Sequence, residues 1–222
     1  MHKTPPHRTS LTHRTSPTHR SSPTDRASLT HRVVEPHILY FGTPVVLLST
    51  LDADGAVNLA PISSAWALDR TVVLGLGPDG QTSRNLAARP ELVVNVPGPG
   101  LWRQVELLGG TTGRADAAHF VRDKFAHAGL TAQPAELVAP PRVAECPLQL
   151  EARVADLRAD ATGEFLVAEV QVLRVHAAES ITVPGTDYVE PAAWSPLVYN
   201  FRHYFGLGAE LGHSSHSRTP RT

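Results

Sequence analysis

Residues 58–86 read NLAPISSAWALDRTVVLGLGPDGQTSRNL, and this stretch decides the fold. Two strand-like apolar runs flank Pro61 and the pair Ser63-Ser64, and a Gly-Pro-Asp-Gly loop then opens a helix at Thr82. Proline has no N–H for a ladder bond, so Pro61 belongs at a sheet edge, a bulge or a kink. The stretch reads as the edge of a small β-barrel leading into a helix N-terminus, with Arg84 in its first turn. A helix start carries unpaired N–H groups and partial positive charge, and both favour an anion.

Working outward, Pro44–Leu51 is an apolar strand, and Asp52-Ala-Asp-Gly55 supplies the residues of a hairpin turn. The returning strand covers Val57–Ala60 and Ser63–Leu68 and is broken at Pro61. Thr71–Leu76 is a third strand, Thr82–Arg89 a short helix stopped by Pro90, and Glu91–Val96 a fourth strand. The pattern predicts helices over Leu101–Leu108 and Ala115–Ala128. Leu148–Leu157 and Phe165–Val175 alternate as a long antiparallel pair across the turn Asp160–Gly163. Short strands at this spacing with inserted helices predict a mainly β barrel, not the strand–helix alternation of a doubly wound sheet.

The ends differ from the middle. Residues 7–32 repeat a hexapeptide (HRTSLT, HRTSPT, HRSSPT, DRASLT, HR), too polar to bury anything. Residues 1–32 therefore read as a disordered tail, 33–212 as the folded domain, and 213–222 as a flexible polar end. The repeat is either a passive solvated extension or an electrostatic or phosphorylatable segment. His213 and His216 fall in the frayed end and do not predict a metal site. The chain carries a net charge of −1, with +5 in residues 1–32 and −6 in the remainder. An acidic folded part argues against nucleic-acid binding. No apolar run is long enough to span a bilayer and no apolar leader opens the chain, so the expectation is a cytoplasmic protein with no membrane association. The single Cys146 excludes an intramolecular disulfide and reads as a structural thiol.

The candidate anion site follows from the loop Gly75–Gly80. It leaves Gln81, Thr82 and Ser83 at a helix start, where Thr82 is either an N-cap or a hydroxyl donor to a ligand. Arg84 either lies in solvent or adds fork geometry for phosphate oxygens. Lys124 is the one lysine of the predicted folded part. It falls on the stripe of Ala117, Phe120, Val121 and Phe125, so it either snorkels along an edge or reaches an anion pocket. Ser63 and Ser64 are either ordinary strand alternation or the polar rim of a site for a planar ring.

Five segments in order, NLAPISSAWAL, GPDGQTSRNLAARPELVVNVP, DKFAHAGLT, ECPLQLEARV and PLVYNFRHYFGLG, resemble the flavin reductase-like family of FMN-binding split barrels over about residues 37–208. The resemblance implies a six-stranded Greek-key split barrel, homodimeric, with FMN (or FAD) near the subunit interface. It implies contacts from Asn58, Ser63, Ser64 and Ala65 to the ring and ribityl chain. Gln81, Thr82, Ser83, Arg84 and Asn85 would hold the phosphate. Lys124 would lie near the flavin, and His203 and Tyr204 would fall in a Tyr-rich C-terminal element. The implied activity is hydride transfer from NAD(P)H to flavin, with a monooxygenase as a downstream partner and no metal. The alternative is a non-catalytic split barrel that binds flavin or another planar ligand. Three departures stand out: Phe165 occupies the place where many members carry a His, and Ala168 replaces a Gly in GEFLVAEVQV. The Asp-Thr pair common in the phosphate loop is here Gln81-Thr82.

Overall fold

The structure, a computed structural model, describes residues 29–217. Residues 1–28 of the repeat tail and the last five residues lie outside the described residues. Contacts divide the chain after His37. Described residues 29–37 form no helix or strand and are exposed.

From Ile38 onward the elements are β1 (Phe41–Pro44), β2 (Val46–Leu51), β3 (Val57–Ile62), β4 (Ala65–Leu68), β5 (Thr71–Leu76), α1 (Gln81–Ala88) and β6 (Glu91–Val96). Next come α2 (Trp102–Gly109), α3 (Lys124–Ala128), the short β7 (Ala132–Gln133) and β8 (Arg142–Val143), then the long β9 (Leu148–Ala159) and β10 (Leu166–Ala177). A final hairpin, β11 (Val198–Asn200) and β12 (His203–Phe205), completes the unit.

Seven strands form one sheet in the order β3-β2-β6-β9-β10-β5-β4, every neighbour antiparallel. The two edges, β3 and β4, are joined only by Ser63 and Ser64. A sheet whose opposite edges are two residues apart must curl on itself. With β3 and β4 counted as one interrupted strand, the barrel has six. The β4–β5 ladder runs on into the serine pair, where the Gly75 N–H donates to the Ser64 carbonyl at 2.8 Å. A Cβ on Gly75 would lie 2.9 Å from Ser64 Cβ, so only glycine allows this approach.

The interruption falls at the serines and not at Pro61. Pro61 lies inside β3, paired with Leu47, and its missing donor is harmless because β3 is an edge strand. The continuous apolar run Val45–Leu48 is buried on both faces. Val46 and Leu48 face the barrel core with Leu74, Leu92 and Val170. Val45 and Leu47 face a second core with Leu59, Val105, Leu108 and Phe125, beneath α2 and α3.

The predicted helix over Ala115–Ala128 survives only as α3, five residues long. Residues 111–121 instead fold as a loop: Thr112 N–H donates to His119 O and Val121 N–H to Thr112 O, with His119 at φ 63°. These loop bonds override the local helix preference. Asp123 starts α3 by accepting the Ala126 N–H at 2.9 Å. At the far end of β9 and β10, the buried Glu151 carboxylate accepts the N–H groups of Glu136 and Leu137 and bonds the His176 ring at 2.6 Å. That cluster fastens the loop before β8 to the sheet. Among the described residues no helix is long and apolar enough to cross a membrane.

Candidate functional site

The seam between β3 and β4 opens into a cleft of about 860 Å³. Its walls include Ser63, Ser64 and Gly75 on the barrel, Glu106 from α2, Tyr40 just before β1 and Tyr199 on β11. Tyr40, Tyr199 and Tyr204 form a tilted aromatic chain, with ring centroids 5.6 and 5.1 Å apart. Its two ends are fixed by polar bonds: Tyr40 OH lies 3.3 Å from Ser64 Oγ, and Tyr204 OH donates to Glu106 Oε2 at 2.8 Å. Burial, helped by the Glu106 carboxylate, pushes the Tyr204 phenol well above its usual range, so it stays protonated. Among the described residues Glu106 is the one carboxylate or cation on the walls of this cleft.

A second cavity, of about 200 Å³, adjoins it and shares Ile62, Leu76 and Gly77 as walls. It is the predicted helix-start cradle. Gly80 is the N-cap of α1 and no side chain caps the helix, which decides between the two readings of Thr82: it is the second helical residue, not the cap. The start is braced from below. Ser83 Oγ donates to Gly77 O at 2.6 Å, Asn58 Nδ2 donates to Thr82 Oγ1 at 3.2 Å, and Asn85 Nδ2 donates to Thr50 Oγ1 at 2.9 Å. Gln81 Nε2 closes the set on Asn85 Oδ1 at 2.7 Å. The amides of the first helical turn have no intrahelical acceptors and remain available to a ligand.

Lys124 reaches the same cavity from α3. It is 4% exposed and, among the described residues, its side chain makes no hydrogen bond or ion pair. Burial alone pushes its ammonium down to about 8. A nearly buried, unpaired amine facing a helix start calls for an anion. Asn58 Oδ1, also on this wall, is buried without a partner. The cradle is closed over by Gly113, where a Cβ would lie 2.4 Å from Asn58 Oδ1 and 2.9 Å from Gln81 Cγ. A phosphate flanked by Lys124, the Thr82 hydroxyl and first-turn amides fits this donor set. A planar ring fits the neighbouring cleft between serines and tyrosines.

The structure therefore brings together Asn58, Gln81, Thr82, Ser83 and Lys124 on one cavity, and Ser63 and Ser64 on the next. Three predicted residues stand elsewhere. Ala65 packs into the barrel core against Leu74. Asn85 is buried beneath the helix start as a brace. Arg84 is exposed and lines neither cavity, so only its charge reaches the cradle. Residues that sequence reasoning missed are Tyr40, Glu106, Tyr199 and the cradle segment Thr111-Thr112-Gly113. The run Gly109-Gly-Thr-Thr-Gly113 after α2 was the available signal, a second flexible loop beside the first.

Comparison with known proteins identifies the family and the fold. A model of the flavin reductase like domain matches residues 38–208. The uncharacterized protein YdfE of Bacillus subtilis (strain 168) is 40% identical over 195 residues, covering 84% of this chain and 94% of its own. Among solved structures, flavoredoxin of Desulfovibrio vulgaris (Miyazaki F) superposes with a TM-score of 0.72 at 21% identity, covering 85% of this chain and 99% of that one. Component B of nitrilotriacetate monooxygenase from Bacillus cereus gives a TM-score of 0.66 at 18% identity, covering 80% of this chain and 89% of its own. At those identities the two structures establish the shared fold.

Proposed function

The chain belongs to the flavin reductase like domain family, and on that premise we propose that it is a flavin-dependent oxidoreductase that binds FMN, or FAD in its place, and takes hydride from NAD(P)H. The observation that carries this reading is the unpaired, buried Lys124 beside the open start of α1, in a cavity continuous with a ring-sized cleft. Gln81, Thr82, Ser83 and Lys124 hold the phosphate, with Asn85 bracing them. Asn58 meets the ribityl chain with its free Oδ1. Ser63 and Ser64 meet the polar edge of the ring, Ala65 contributes backbone only, and Arg84 supplies long-range charge.

When bound, the flavin supplies the two-electron chemistry, accepting a hydride as NAD(P)H becomes NAD(P)+. The protein's part is positioning and exclusion of water. Tyr40 and Tyr199 wall the cleft, and Ser64 is fixed by Tyr40. Glu106 faces the ring cleft as a carboxylate that favours a ring acquiring positive charge, and it holds the Tyr204 proton in place. A homodimer fits the exposed edge strand β4, where Trp66 and Leu68 are 58% and 72% exposed. Transfer of reduced flavin to a partner monooxygenase in a reducing cytoplasm completes the proposal.

Phe165, lining the cleft in place of a His, favours a second reading, a flavin-binding protein without turnover. One experiment separates the two. The purified chain is saturated with FMN and mixed anaerobically with NADH or NADPH. Bleaching of the visible flavin absorbance is expected. Tight flavin binding with no bleaching by either nucleotide would favour the second reading, and absence of binding of both FMN and FAD would refute both.

A further inference from the structure

Tyr204 also walls a third cavity, of about 340 Å³, between the start of α2 and β12. Its aromatic surface is open: Trp102 and Phe205 are 39% and 51% exposed, and the Trp102 and Tyr204 rings are 6.2 Å apart. Its charge is opposite to that of the ring cleft. Among the described residues Arg202 and His203 line it and no carboxylate does, and the Arg103 guanidinium lies over the Trp102 ring, 4.6 Å from its centroid. Glu106 stands on the other side, bonded to Tyr204.

The hairpin that presents Arg202 is unusual. Asn200 pairs with His203, so Phe201 and Arg202 are the two turn residues, with φ of 45° and 68°. Turns of this kind normally use Asn and Gly, because left-handed backbone strains other side chains. Bulky residues held there mark a position kept for what the side chains do.

We propose that this cleft seats the adenosine diphosphate half of a dinucleotide, adenine against the aromatic surface of Trp102 and Phe205 and phosphates held by Arg202. The inference rests on the proposed NAD(P)H dependence: one molecule would straddle Tyr204, with its nicotinamide on the Glu106 side and its anionic half on the arginine side. Aromatic surface with guanidinium groups is what a purine nucleotide diphosphate needs, and an acidic ring cleft beside it suits a ring that becomes cationic.

The test is calorimetric titration of the full chain, saturated with FMN, using ADP as the probe. One ADP per chain is expected, undisplaced by excess FMN. Trp102→Ala should weaken ADP about tenfold or more through lost stacking. Arg202→Gly should weaken it similarly. Because glycine tolerates the left-handed backbone, that loss cannot be blamed on misfolding. No ADP binding, displacement of ADP by FMN, or an ADP affinity indifferent to both substitutions overturns the proposal. Failure of FMN itself to bind would strike the proposed function instead, and the separate FMN titration shows which has failed.

Discussion

Replacing Lys124 by methionine should have opposite effects on stability and on ligand affinity. Methionine keeps most of the side-chain volume and removes the charge. In the free protein that charge is buried and unpaired, and its pKa falls from 10.5 to about 8. At about 1.4 kcal/mol per pH unit this corresponds to roughly 3 kcal/mol, and water at the cavity mouth reduces it to about 2 kcal/mol. Lys124→Met should therefore leave the flavin-free protein as stable as the wild type or up to about 2 kcal/mol more stable. A charge-assisted bond to phosphate contributes about 2–3 kcal/mol, so FMN affinity should fall about 30- to 150-fold while riboflavin, which lacks the phosphate, is nearly unaffected. The pH dependence has a definite sign. The folded-state pKa is depressed, so in the free protein this group's penalty is full below about pH 8 and is relieved as pH rises toward 10.5. A bound phosphate raises the pKa again, so wild-type FMN affinity should decline above about pH 8, and the decline should vanish in Lys124→Met. Flavin fluorescence titrations with FMN and riboflavin from pH 7 to 10, with urea unfolding of the flavin-free proteins, read all three quantities. Equal loss of FMN and riboflavin, or a flavin-free variant clearly less stable than wild type, would refute the reasoning.

Three other substitutions probe separate parts of the account. Gly113→Ala places a Cβ 2.4 Å from Asn58 Oδ1, so the 111–113 loop must move off the cradle; FMN affinity should drop about tenfold or more by the same titration. Arg202→Gly should relieve left-handed strain and stabilise the protein by about 1 kcal/mol, raising Tm by about 2–4 °C in a thermal melt. Glu151→Gln removes a buried carboxylate that serves two amides and the His176 ring, and should cost about 3 kcal/mol in urea unfolding at neutral pH. Burial pushes the Glu151 carboxyl up, but those bonds outweigh it and hold it below its ordinary value of 4.5. Its stabilisation is therefore present above about pH 4.5 and lost as pH falls, so the gap between wild type and variant should narrow in acid.

The barrel was legible because its signals are local. Alternation marks β9 and β10, turn residues mark Asp52–Gly55 and Asp160–Gly163, and Pro90 stops α1 one residue after Arg89. The cradle was legible for the same reason: a glycine-rich loop runs directly into a helix start. Lys124 does line the small cavity, but not for the reason the sequence offered, since the predicted apolar helix around it is mostly loop and Phe120 is 41% exposed. What was missed depends on contacts across the chain. Tyr40, Glu106 and Tyr199 converge on Tyr204 only once β1 pairs with β11 and α2 covers the second core. Arg84 illustrates the converse error. Sequence gives its distance from the helix start, but the helical phase turns it outward while Thr82 and Ser83 turn in.

A crystal structure of the chain soaked with FMN tests the central claim most directly. The phosphate should bond Lys124 Nζ at about 2.8 Å and the amides of the first turn of α1, with the ring against Ser63 and Ser64. A phosphate bound elsewhere, with Lys124 still facing no anion, would contradict the account.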